Sequence, residues 1–157
     1  MDFNGNMELE MDQRRVLIAK YKTDVALLVK YIPWLESKVD DSVMSEYNNA
    51  GGVSVSFSFP VYDATLMNFV KIAQSTCLMD KNYKYVYSKY RIRTAEDEKR
   101  LIAVATLKDI GVLLAILTSY IYRGMTKGSV WPEGVKNGVF LAVVKKLKEL
   151  ITDPVIM

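Results

Sequence analysis

The sequence predicts a mainly α, single compact domain of about five helices, with at most one short two-stranded β element. Apolar residues recur at steps of three and four in five separate segments. Each segment opens on a residue suited to start a helix, namely Asp12, Asp63, Thr94, Thr106 and Pro132. The length of 157 residues, half of them apolar and 25% charged, is enough for one core and too little for two.

In the first segment Leu17, Tyr21, Val25, Leu28, Ile32 and Leu35 trace one helical face, with Asp12 as the expected N-cap and Pro33 limiting the far end. Residues 1–11 are expected to be disordered. Val53 to Phe59 alternates apolar residues with serine, the period of a half-buried strand. A lone strand leaves its backbone groups unpaired, and the internal candidate to pair with it is Tyr83 to Ile92, where tyrosines also alternate. Two ordered loops are the alternative. Asp63 should cap a helix from Ala64 to about Thr76 that buries Leu66, Phe69, Val70, Ala73 and, just beyond it, an inert Cys77. Thr94, followed by Glu96, Asp97 and Glu98, opens the next helix, since a hydroxyl acceptor and acids suit the exposed amides and positive pole there. Thr106 with Asp109 repeats the arrangement, so a break falls near Ala105. The helix that follows, to about Arg123, is apolar nearly all round and should be central, with Gly124 as its stop. The last helix runs from Pro132 to about Ile151. Gly134, Gly138 and Ala142 lie four apart on it, a groove suited to close helix approach in a homodimer or within one chain.

The composition excludes more chemistry than it supports. With no histidine there is no imidazole acid or base and no His-containing nucleophilic pair or zinc site. A single cysteine permits no intrachain disulfide. Capping or a first helical turn accounts for Asp63, Asp97, Glu98, Asp109 and Glu133, so no catalytic residue, metal site or cofactor is expected. The acidic, polar start is unlike a signal peptide, and no apolar run reaches the ~18 residues of a membrane span. A cytoplasmic protein without a membrane partner is the expectation.

Charge is distributed unevenly: residues 1–60 carry 6 Lys and Arg against 9 Asp and Glu, residues 61–157 carry 15 against 9. The basic part centres on Asp80 to Arg93. After Asp80 this run holds Lys81, Lys84, Lys89, Arg91 and Arg93, with Tyr83, Tyr85, Tyr87 and Tyr90 and no carboxylate. Cations among rings suit an anionic, ring-bearing partner. The competing account makes the tyrosines half-buried packing residues and the cations a solvated face. Arg123, Lys127 and the amides near Ser129 could add an anion contact, but Gly124-Met-Thr-Lys-Gly has the wrong order for a P-loop, leaving a helix and placing Lys before Gly.

Several segments resemble a small bacterial family filed as a domain of unknown function. They are Pro60-Val-Tyr-Asp-Ala-Thr-Leu-Met67, Tyr85-Val-Tyr-Ser88, the acidic helix start after Thr94, Gly124-Met-Thr-Lys-Gly-Ser-Val-Trp131, Glu133-Gly134 and Asn137-Gly-Val-Phe140. The resemblance covers roughly residues 59–151. It implies a bacterial, cytoplasmic protein from a mobile element or prophage, with no assigned activity and hence no functional residues to carry over. The expected function is a non-enzymatic binding module that engages nucleic acid or a nucleotide first and an acidic protein second. A structural or oligomerising protein without a ligand is the alternative.

Overall fold

A computed structural model describes residues 3–39, 44–46 and 60–151, with side chains from 11–39 and 63–151. Among these residues the chain forms eight α-helices: α1 Phe3–Val29, α2 Ile32–Lys38, α3 Ala64–Ser75, α4 Tyr83–Lys89, α5 Ala95–Val104, α6 Ile110–Gly124, α7 Val130–Lys136 and α8 Val139–Ile151. A three-residue antiparallel pair, β1 Met44–Glu46 with β2 Pro60–Tyr62, sets Met44 opposite Tyr62 and Ser45 opposite Val61. The domain is therefore mainly α. No helix of the described residues is long and apolar enough to cross a membrane.

Several expected boundaries move for physical reasons. The first helix starts at Phe3, so Asp12 lies inside it beside Arg15 and does not cap it. Pro33 falls in the first turn of α2, where its missing N–H costs no helical hydrogen bond. The strand expected at Val53 to Phe59 lies outside the described residues. Its expected partner, Tyr83 to Ile92, is not extended, because Tyr83 to Lys89 is helical. The last helix is two helices. Gly138 takes φ +82, a conformation open to glycine, and breaks the run, while Asn137 Oδ1 accepts from the Val139 amide at 2.9 Å and starts α8. Gly134 thus lies on α7, Gly138 in the connection and Ala142 on α8. A Cβ at Gly134 would stand 2.7 Å from the Phe140 ring and 2.8 Å from that of Tyr120, so this glycine serves close approach inside the chain.

Other expectations hold. Asp63 Oδ1 accepts from the Thr65 amide at 2.7 Å at the start of α3, and Thr94 with Asp97 and Thr106 with Asp109 both form capping boxes. Helix α6 is buried on nearly every side from Val112 to Ile121. It shares the centre with α8, which touches α1, α2, α5, α6 and α7. Between them Tyr31, Phe69, Phe140 and Tyr120 form a chain of edge-on rings with centroids 5.1–5.5 Å apart. Leu28, Leu35, Leu66, Leu113, Leu117 and Leu147 are wholly buried around it, each contributing about 1.5–3 kcal/mol of transfer free energy.

Candidate functional site

The basic, tyrosine-rich run folds as a short helix tied at both ends. At its start the Asp80 amide donates to Thr118 Oγ1 on α6 at 2.8 Å, and Asp80 Oδ1 accepts from the Asn82 amide. At its end the Ile92 amide returns to the Tyr87 carbonyl and the Arg91 amide to that of Ser88, a Schellman closure. This places Arg91 at φ 55, where glycine is favoured. Helical geometry sorts the tyrosines differently from a strand. Tyr83 and Tyr87, four apart, share the inner face. Tyr83 meets Tyr87 and Tyr122 edge-on at 6.4 and 5.9 Å. Tyr85, expected beside Tyr87 in an extended run, points the other way and is 67% exposed.

Under Tyr87 lies a carboxylate that the capping pattern had explained away. Glu98 is 4% exposed. Its Oε2 accepts the Tyr87 phenol at 2.5 Å and its Oε1 the Tyr120 phenol at 2.6 Å. Asn137 Nδ2 donates to the Tyr120 oxygen at 3.1 Å. On the other side Arg123 Nε donates to Ser119 Oγ at 2.9 Å. Burial first, then the Glu98 charge and the hydrogen bond to it, push the Tyr87 phenol far above its ordinary range. Burial and then the hydrogen bond to Glu98 do the same to Tyr120, against smaller opposing effects of Asn137 and Arg123. Both phenols are therefore fixed donors, unsuited to act as bases or nucleophiles.

Above this network opens a cleft of about 690 Å³, within the size range of small-ligand sites. Its walls come from α4 (Tyr83, Lys84, Tyr87), the connection to α5 (Ile92, Arg93, Thr94) and α6 (Ser119, Tyr122, Arg123). Glu98 and Tyr120 form the floor, and Thr126 and Glu133 complete the rim. The Arg123 guanidinium lies 4.8 Å from the centre of the Tyr120 ring, a cation–π distance.

Of the residues expected to bind, Tyr83, Lys84, Tyr87, Arg93 and Arg123 meet at this cleft. Lys81, Tyr85, Lys89, Tyr90, Arg91 and Lys127 are exposed and do not line it. Lys89 stands 5.6 Å over the Tyr90 ring. Sequence reading passed over Glu98, Ser119, Tyr120, Tyr122 and Asn137 as parts of the site. One signal for Glu98 was present: it falls in step with Ala95, Ile102 and Ala105, the face that α5 turns inward.

The glycine-rich turn has a packing role. A Cβ on Gly124 would collide with the Trp131 indole, whose N–H donates to the Ile121 carbonyl at 3.0 Å. Gly124 is the last residue of α6, where the helix was expected to stop, and its missing Cβ also allows this approach. The α7 helix after Ser129 is only seven residues long. Cys77, expected to be buried, is exposed, and its thiol donates to Asp24 Oδ2 at 2.7 Å. No group of three or more His, Cys, Asp or Glu among the described residues could hold a metal ion. Comparison with protein-family models, with curated proteins and with solved structures gave no match.

Proposed function

We propose that this chain is a non-enzymatic binding module whose cleft takes an anionic, ring-bearing ligand, a nucleotide either free or at the end of a single strand. The observation that carries the reading is the preset Arg123. Its Nε is held by Ser119 and its Cζ lies over the Tyr120 ring, which leaves two terminal amino groups for a ligand. A guanidinium held this way loses little freedom on gripping a phosphate. Lys84 and Arg93 add charge at the same mouth, and the Tyr83 and Tyr122 rings offer flat apolar surface. The packing of Gly134 against Tyr120 and Phe140 counts against the assembly alternative, because the small-residue surface is used within the chain. The bacterial family that the turn resembles belongs to the same proposal and adds no activity to it.

Titration with nucleoside monophosphates and a short single-stranded oligonucleotide at two salt concentrations tests the reading. Binding should weaken as salt rises, and Lys84→Ala and Arg123→Ala should each lower affinity and flatten that dependence. Lys84→Ala should also leave stability within about 0.5 kcal/mol, as expected for an exposed charge. Absence of any binding at low salt would refute it.

A further inference from the structure

The floor of the cleft is made of groups whose protons are already assigned. A phenol has one proton to give. Tyr87 gives its proton to Oε2 of Glu98, and Tyr120 gives its own to Oε1. Behind them Asn137 donates to Tyr120, while Arg123 donates to Ser119 in the cleft wall. Two phenolic donors thus point inward and end on one carboxylate. An ionised carboxylate only accepts, at about four lone-pair positions, of which two are taken here. Glu98 makes no ion pair with any described residue, so a charge buried to 4% exposure is held by neutral donors alone. Such a group gains from a further donor. At the mouth the polarity is opposite, with Lys84, Arg93 and Arg123 against the single carboxylate of Glu133.

From this opposition we infer that the cleft selects anionic ligands whose ring bears an exocyclic amino group, seated with the amino group at Glu98 and the anionic group at Arg123. The inference rests on the ligand-binding reading above and adds a direction and a selectivity to it. A ring that brought a carbonyl oxygen to the floor would set acceptor against acceptor, because neither phenol has a proton to spare.

Nucleoside monophosphates that differ at the exocyclic amino group give the test, by isothermal titration of the full chain. Guanylate is compared with inosinate, which lacks only its amino group, and cytidylate with uridylate, which has a carbonyl in its place and a proton on the neighbouring ring nitrogen. The amino-bearing member of each pair should bind about tenfold more tightly, the scale of one hydrogen bond to a charged group. Glu98→Gln, whose amide brings its own donors to the floor, should reduce both ratios to about one or below. Tyr87→Phe returns a lone pair to Glu98 and should keep or widen them. Equal affinities within both pairs, or ratios unmoved by Glu98→Gln, would overturn the selectivity and leave nucleotide binding standing. If none of the four binds at low salt, the binding reading fails and this one with it. The wild-type ratios decide even if Glu98→Gln proves too unstable to titrate.

Discussion

Gly124→Ala is a one-carbon change with an outcome that depends on a residue seven positions on. A Cβ there collides with the Nε1 and Cδ1 atoms of Trp131 and stands 2.6 Å from Cε2. The indole is 9% exposed and held by the Ile121 carbonyl, so it has no free space to retreat into. Overpacking of this kind costs about 1–3 kcal/mol. The displaced indole N–H loses a hydrogen bond worth about 1 kcal/mol. Against these, alanine gains up to about 1 kcal/mol over glycine in a helix. The net expectation is a loss of about 2 kcal/mol. Trp131→Ala alone should cost about 3–5 kcal/mol. In that background the new methyl meets a cavity, and the same Gly124→Ala should be neutral or stabilising by up to about 1 kcal/mol. Urea unfolding followed by far-ultraviolet circular dichroism on the four proteins measures the coupling, which should reach about 3 kcal/mol. An equal cost of Gly124→Ala in both backgrounds would refute the assignment of that glycine to the indole.

Three further outcomes are expected. Arg91→Gly relieves the φ of 55 at the Schellman position and should raise the urea midpoint by up to about 1 kcal/mol of stability; a loss would mean that the Arg91 side chain holds the turn. Tyr87 and Tyr120, raised above the ordinary phenol value of 10.0, contribute stability that is whole below pH 10 and is lost as pH climbs above it. In an ultraviolet titration Tyr87→Phe and Tyr120→Phe should therefore leave the absorbance step near pH 10 unchanged, and a smaller step in either would contradict their burial. Cys77 is exposed, yet its hydrogen bond to Asp24, with burial and the Asp24 charge behind it, pushes the thiol up. Alkylation at neutral pH should accordingly be slow and should quicken in Asp24→Asn, with equal rates arguing against the contact.

The helices were legible where local chemistry decides them. Asp63 and Thr94 are capping signals complete within four residues and cap as expected, while Thr106 with Asp109 opens a 3-10 turn, Leu107–Asp109, just ahead of α6. The tyrosine run was harder. Tyr83, Tyr85 and Tyr87 alternate as a strand would, but only Tyr83 and Tyr87 face inward, Tyr83 onto Tyr122 of α6 and Tyr87 onto Glu98 of α5, neighbours the local pattern does not name. Cys77 follows the periodicity of α3 into a position beyond the last turn, where periodicity no longer applies. Glu98 was misread for a related reason. Its place in an acidic first turn explains a carboxylate there, and its burial depends on partners 11 residues before it and 22 after it. Tyr83, Lys84, Tyr87, Arg93 and Arg123 of the cleft could be found from the sequence. The floor of the cleft needed the tertiary contacts.

Helix α4 has no buried residue of its own and rests on the body chiefly through Tyr83, Tyr87 and the half-buried Val86. Among these the Tyr87 phenol makes the one charged hydrogen bond, to Glu98. That bond works as a latch on the least anchored helix of the site, while α6 beneath it is buried on nearly every side. In hydrogen exchange the α4 amides should open in a step well below the free energy of global unfolding, with those of α6 among the last to exchange. Each such opening wets Glu98 and widens the cleft at once. The motion that widens the cleft is then the motion that rehydrates the carboxylate beneath it, so occupancy by the proposed ligand should register as protection of α4.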